Sequence, residues 1–255
     1  MPALSVAIIT HNEEANLART LRSLPEGCEV IVVDSGSTDG TLAIAREHGA
    51  RVIEQAWLGF AAQKNLALSE CSGDWVLSLD ADEELSPALR DEILSLTQKQ
   101  PRPGEPEAYF IPRKNFFLGR WIRFGGFYPD AKLRLFRRGV ACFEPRPVHE
   151  VIRFDGASGE LEGALLHHAY PTLNGYLEHM NRYSTLGAEV LQQKGKTSAG
   201  VFDFLAYVLL APAATFVWNY VFRGGFRDGR EGLLLHLYHA GYTSWKYAKA
   251  WEKAR

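Results

Sequence analysis

Val30-Ile31-Val32-Val33-Asp34-Ser35-Gly36-Ser37-Thr38-Asp39 ends a short apolar run on an acid, and Trp75-Val76-Leu77-Ser78-Leu79-Asp80-Ala81-Asp82 does so again. Runs of this length are too short for helices and suit strands buried on both faces. A carboxylate at the carboxyl end of such a strand faces the crevice where open α/β sheets take their ligands. Two such ends, the second carrying Asp-x-Asp, predict a site for a nucleotide, its phosphates and a divalent metal.

Working outward, strand and helix patterns alternate over the first hundred residues. Ser5 to Thr10 reads as the first strand, and Leu17, Leu21 and Leu24 recur at helical spacing. Ser37, Thr38 or Asp39 can cap a helix running through Leu42 and Ala45. Arg51 to Glu54 reads as a third strand and Gly59 to Ser69 as a third helix. Ser86-Pro87 supplies an N-cap with proline at the first helical position, opening a helix through Leu89, Ile93 and Leu96. Repeated β-α units of this length predict parallel strands joined by right-handed crossovers. Pro101 to Pro106 reads as a surface linker, followed by strands at Ala108 to Pro112, Lys132 to Phe136 and Val151 to Phe154.

The bulk numbers narrow the class. The 255 residues carry a net charge of −2 with 46% hydrophobic and 23% charged residues, which disfavours nucleic acid as a partner. Cys28, Cys71 and Cys142 are widely spaced, odd in number and without a C-x-x-C pair, so they predict buried free thiols in a reducing compartment. The strand-like Leu4 to Thr10 runs straight into His11-Asn12-Glu13-Glu14 with no signal-peptide pattern, and the expectation is a cytoplasmic protein.

From Thr172 the pattern is helical: Leu173 to Gln193, Val201 to Phe222 and Gly229 to Trp251. Residues 204–222 near the length needed to cross a bilayer, but Pro212 and Asn219 interrupt the run. Arg223, Arg227 and Arg230 follow it, and with Trp218, Tyr220 and Phe222 they suit a helix lying at a membrane surface. A core helix packed against its neighbours, or a true span, are the alternatives. The expected division is residues 1–170 as the nucleotide-sugar-binding and catalytic domain and 171–255 as a helical extension.

If the strands are neighbours, three clusters meet at one crevice: Thr10, His11, Asn12 and Glu13; Asp34 with its Ser/Thr/Asp/Gly loop; and Asp80 with Asp82. Asp34 is placed to accept hydrogen bonds from a base or ribose, whereas Asp39 reads as a helix cap. Residues i and i+2 of an extended segment point to one side, so both carboxylates of Asp80-Ala81-Asp82 can face one ligand. Mg²⁺ or Mn²⁺ prefers such hard oxygen donors and bridges them to a diphosphate. Glu83 and Glu84 read as a solvated first turn. His236 and His239, i and i+3 on a helix, read as interface residues, and His167-His168 as structural. There is no G-x-x-x-x-G-K-[ST], no strand-to-helix G-x-G-x-x-G and no G-x-S-x-G, which excludes P-loop, dinucleotide and hydrolase-elbow readings.

Ser5-Val-Ala-Ile-Ile-Thr-His-Asn-Glu-Glu14, Val30 to Thr41, Lys64-Asn65 and Leu77-Ser-Leu-Asp-Ala-Asp-Glu83 together resemble the family 2 glycosyltransferases of GT-A fold, over roughly the first 150 residues. Phe124-Gly-Gly-Phe-Tyr-Pro-Asp130, Lys132 to Phe136, Pro147-Val-His-Glu150 and the aromatic C-terminal helices resemble the lipopolysaccharide inner-core β-glucosyltransferase type. The resemblance implies a Rossmann-like mixed sheet flanked by helices, with a membrane-associating C-terminal extension. It also implies a nucleotide-diphosphate sugar donor, inversion at the anomeric carbon and Mg²⁺ or Mn²⁺. It gives Asp34 to the base, Asp80 to the nucleotide sugar, Asp82 with Asp80 to the metal, and Lys64 to the donor. Thr10, Asn12 and Glu13 join the substrate-binding set. The family's usual Glu-Asp dipeptide for the base is missing, and no Gln-x-x-Arg-Trp occurs, which argues against processive polymer synthesis.

Inverting displacement needs a base for the acceptor hydroxyl proton. Glu150 is the first candidate and Asp130 the second, with His149 set to orient Glu150 or touch diphosphate. Arg134, Arg137 and Arg138 either pair with phosphates or line a solvated edge strand. The expected activity is transfer of one hexose, glucose from UDP-glucose, to a membrane glycolipid such as the lipopolysaccharide inner core. The expected location is the cytoplasmic face of the membrane. A sugar-nucleotide nucleotidyltransferase and a non-catalytic nucleotide-sugar-binding membrane scaffold are the rival readings.

Overall fold

The structure, a computed structural model, describes residues 3–99, 104–145, 151–196, 198 and 200–255. The chain divides into two compact units, one of residues 1–113 and 130–168, the other of 114–129 and 169–255.

The first unit is built on β1 (Leu4–Thr10), β2 (Glu29–Asp34), β3 (Arg51–Glu54) and β4 (Trp75–Asp80), which pair in parallel in the order β4-β1-β2-β3. Both faces of β1, β2 and β4 are covered, which is why their apolar runs do not alternate with polar residues, whereas β3 is an edge strand with exposed ends. Val6, Ile8, Val32, Leu77 and Leu79 enter one buried cluster, and Ala7, Ile31, Val33 and Val76 another. The crossovers are α1 (Leu17–Ser23), α2 (Thr41–Glu47) and α3 (Phe60–Ser69). The chain moves outward from β1 to β3 and then returns to place β4 on the other side of β1. That reversal opens a crevice at the strands' carboxyl ends, where Asp34 lies opposite Thr10 and Asp80 opposite Ile9.

β5 (Glu83–Leu85) follows the Asp80-Ala81-Asp82 turn and leads into α4 (Pro87–Thr97). Ser86 caps α4 by accepting the Leu89 amide at 3.3 Å, with Pro87 at the first helical position, as the sequence predicts. After β6 (Ala108–Ile111) come β7 (Arg113–Phe117), β8 (Arg120–Trp121) and β9 (Lys132–Arg137). β9 inserts antiparallel between β4 and β6, making the sheet mixed, and β12 (Ser158–Glu160) joins β6 to complete seven strands. Arg134 therefore lies on an interior strand and is 5% exposed, so the solvated-edge alternative for it is set aside. β10 (Ala141–Glu144) and β11 (Val151–Phe154) form a separate antiparallel ribbon. β13 (Leu165–Tyr170) pairs antiparallel with β5, setting Leu166 opposite Glu84 and His167 opposite Glu83.

In the second unit, α5 (Leu173–Gln193) runs beside the C-terminal helix Gly229–Glu252. Lys249 holds the pair together, its Nζ donating to Asn181, Ser184 and Thr185 at 2.7–2.9 Å. Phe117, Ile122, Tyr176 and Leu235 form this unit's core. The helix Val201–Phe222 is long and apolar enough to cross a membrane, and it widens into π-helical turns at Leu205–Leu210 and Val217–Phe222, either side of Pro212. Only 11% of its most apolar stretch is buried, so the alternative of a core helix packed against its neighbours is not met.

Candidate active site

The site is built at the carboxyl ends of β1, β2 and β4, within the first unit. Asp34 closes β2 and is fully buried. Its Oδ1 accepts the amides of Gly36 (2.9 Å) and Ser37 (2.8 Å), while its Oδ2 accepts the hydroxyls of Thr10 (2.8 Å) and Ser37 (2.5 Å). Burial pushes this carboxyl up, but the four donors outweigh it and hold the pKa below the ordinary value. Asp34 thus organises the loop that follows it. Asn12, in the left-handed region at φ 56°, clamps the same loop by donating its amide to Ser37 Oγ and accepting the Thr38 amide, both at 2.8 Å. Glu13 donates its amide to Thr41 Oγ1 at 2.7 Å. Its carboxyl is raised first by burial and then by Asp82, Asp39 and Asp80, which ties this loop to the second acidic strand end. Asp39 accepts the Thr41 amide at 3.0 Å in the first turn of α2, the capping-type contact its sequence position suggests.

The second strand end carries a charge network. Lys64, on α3 and nearly buried, places Nζ 2.8 Å from Asp80 Oδ1. Arg134 Nη2 lies 2.5 Å from Asp80 Oδ2 and 2.8 Å from Glu83 Oε1. Burial pushes the Asp80 carboxyl up, but Arg134 and Lys64 hold its pKa well below the usual range. Burial also works against the charge on Arg134, and Asp80 with Glu83 overcomes it. Glu83 is 0% exposed and accepts three hydrogen bonds, from Arg134, Arg113 (3.1 Å) and the Asp80 amide (3.1 Å). The expectation of a solvated turn at Glu83 is therefore wrong. Glu83 sits on a short strand under the site, and its charge balances two arginines rather than a helix terminus.

Asp82 stands apart from that network. Its Oδ2 is 3.3 Å from His167 Nε2, both side chains keeping partial access to solvent. Burial raises its pKa, but the hydrogen bond and charge of His167 bring it below the ordinary value. Nothing in the spacing of His167 and Asp82 announces this pair; it arises because β13 returns alongside β5. His168 turns to Glu84 at 3.2 Å and donates its amide to the Asp82 carbonyl at 3.1 Å. Asp130 is held by Arg113 (2.6 Å) and Lys132 (2.8 Å); burial opposes its charge, but the two cations bring its pKa down to about 2. Glu150 and His149 lie outside the described residues.

The donor chemistry suits a divalent cation of modest demand. A carboxylate and an imidazole stand together beside an ionised second carboxylate, and Mg²⁺ or Mn²⁺ completes such a site with phosphate oxygens and water. Among the described residues no group of three or more His, Cys, Asp or Glu forms a self-sufficient metal cage.

Residues 5–140 match the sequence profile of Glycosyl transferase family 2. The chain belongs to that family. This family 2 glycosyltransferase is 31% identical over 262 residues to the lipopolysaccharide core biosynthesis glycosyltransferase LpsC of Rhizobium meliloti, covering 98% of this chain and 92% of the relative. It is 37% identical over 209 residues to an uncharacterized glycosyltransferase of Rickettsia typhi, covering 77% of this chain and 70% of that one. Its fold is similar to that of a mannosyltransferase from Pyrobaculum calidifontis solved with GDP-Man and Mn²⁺. The TM-score is 0.56 at 18% identity, with coverage of 99% and 88%. The GT-A architecture expected of the sequence is present, and the transferase reading displaces the nucleotidyltransferase and scaffold alternatives.

Proposed function

We propose that this enzyme is a metal-dependent, inverting glycosyltransferase that moves one hexose, glucose from UDP-glucose, onto a membrane-held glycolipid such as the lipopolysaccharide inner core. The observation that carries the reading is the pairing of Asp82 with His167 beside an Asp80 kept ionised by Lys64 and Arg134. The name of the Rhizobium relative supports the acceptor class.

In this reading Asp82 and His167 hold Mg²⁺ or Mn²⁺, with Asp80 as the adjacent carboxylate. The bound ion supplies positive charge against the diphosphate as it leaves. Thr10, Asn12, Glu13 and Asp34 shape the nucleotide pocket, Asp34 by fixing the 35–38 loop so that its backbone can meet the base and ribose. Lys64 and Arg134 fix the Asp80 carboxylate in place and keep it charged. The base that takes the acceptor proton is assigned to Glu150 on the sequence resemblance, with His149 in the substrate-binding set. Asp130, at a pKa near 2 and bound to Arg113, is a poor base at neutral pH and serves to hold Arg113.

Membrane contact is assigned to the exposed apolar face of Val201–Phe222, with the protein peripheral on the cytoplasmic face. The decisive experiment is a panel of nucleotide-sugar donors with Mg²⁺ or Mn²⁺, scored for nucleoside diphosphate release with and without a lipid acceptor. Acceptor-dependent release from UDP-glucose is expected, and Asp82→Ala should abolish it. Release that survives Asp82→Ala would refute the metal assignment.

A further inference from the structure

The second unit gathers cations that form no ion pair among the described residues, at the end of its exposed helix. Lys114 Nζ and the Arg123 guanidinium each lie 4.7 Å from the Trp121 ring. The Arg227 guanidinium lies 5.2 Å from Phe124. Arg223 crosses over Gly126, where a Cβ would stand 2.2 Å from its Nη1; with φ at +89° and no side chain, this glycine leaves the guanidinium room. The two segments are locked by backbone contacts. Gly125 donates its amide to the Arg223 carbonyl at 3.0 Å, and the buried Asp228 carboxylate accepts the amides of Arg123 and Phe124 at 2.9–3.2 Å.

Asp228 thus faces the backbone and not the guanidinium groups. Among the described residues no carboxylate forms an ion pair with Lys114, Arg123, Arg223 or Arg227, while neighbouring Arg120 is matched by Glu231 at 3.7 Å. Like charges gathered in this way, three on ring faces and Arg223 over Gly126, repel one another, and cation–π stacking offsets that only in part. Such a cluster is stabilised by an anion from outside. Its position says which one. Arg223 directly follows Phe222, the last residue of the apolar helix, and Trp218, Phe222 and Phe226 beside it are 59%, 71% and 52% exposed. Aromatic side chains at the hydrocarbon boundary with cations just beyond them match the depth profile of a bilayer surface.

We propose that Lys114 and Arg123 on Trp121, Arg227 on Phe124 and Arg223 over Gly126 form a site for the phosphate of anionic membrane lipids, so that the enzyme selects negatively charged bilayers. This inference rests on the membrane contact assigned above and adds a headgroup preference to it. The test is flotation of the full chain with phosphatidylcholine vesicles and with vesicles in which a third of the lipid is phosphatidylglycerol. Wild type should prefer the anionic vesicles, and salt should weaken the preference. Arg123→Gln with Arg227→Gln should lower partition onto anionic vesicles about thirty-fold, roughly fivefold per cation removed, with neutral-vesicle binding unchanged. Arg123→Lys with Arg227→Lys should keep the preference, separating lost charge from lost folding. Equal binding of wild type to both vesicles would overturn the headgroup site and leave the membrane contact standing. No flotation with either would overturn both. A preference undiminished in the glutamine variant, or one replaced by a raised KM for a phosphorylated acceptor, would move the function of these arginines elsewhere.

Discussion

Arg134 and Glu83 form a 2.8 Å ion pair beside Asp80, Glu83 fully buried and Arg134 nearly so. The pair joins β9 to β5 and fixes the floor on which the Asp-x-Asp turn rests. Two charges taken out of water at this depth are tolerable only together, because their attraction offsets part of the desolvation penalty each carries.

Removing one partner should therefore cost more than removing both. Arg134→Met leaves Glu83 and Asp80 short of a cation and is expected to destabilise the protein by about 3–5 kcal/mol. Adding Glu83→Gln should recover part of that loss. Urea unfolding followed by circular dichroism checks the comparison. A single variant as stable as wild type would show that the pair is not buried as described.

Asp34→Asn should expose the loop-building role of that carboxylate. Four donors converge on Asp34, two amides on Oδ1 and two hydroxyls on Oδ2. An amide in its place turns an –NH₂ group towards one of those pairs, at a cost of about 1–3 kcal/mol. The measurable consequence is a raised donor KM with a lowered melting temperature. Unchanged values of both would mean that the 35–38 loop is held by other contacts.

Acid should weaken the second unit through His236. This imidazole is 1% exposed, packed against Gly125 and Gly225 with neither ring nitrogen hydrogen-bonded, and burial lowers its pKa to about 4. Nearby charges are those of His239, Asp228 and Arg223. Below about pH 6.5 the unfolded chain takes up a proton that the folded chain refuses until about pH 4, so stability falls as pH drops through that window. The loss should reach about 3 kcal/mol by pH 4, and His236→Leu should remove that part of the pH dependence. Melting temperatures of the two proteins between pH 7 and pH 4 decide the point, and parallel curves would contradict it.

Much of the fold can be read locally. The apolar runs ending in Thr10, Asp34 and Asp80 become parallel neighbours, and the helices at 17–23, 41–47, 60–69, 87–97 and 173–193 fall close to where spacing and caps place them. Less legible are the short strands Glu83–Leu85, Ser158–Glu160 and Leu165–Tyr170, whose few residues carry no periodicity to detect. Glu83 misleads for the same reason: next to a helix cap it looks like a solvated acid, and only its two arginine partners, 30 and 51 residues away, make burial possible.

What the sequence by itself determined is the set of strand ends and the carboxylates they carry, because burial on both faces and the turn that follows are written into consecutive residues. Tertiary structure alone decided which cations meet those carboxylates. The β9 strand had to insert antiparallel beside β4 to bring Arg134 to Asp80, and β13 had to return against β5 to set His167 beside Asp82. Charge pairing acts through space over a few ångströms, so it follows strand order and register rather than separation along the chain.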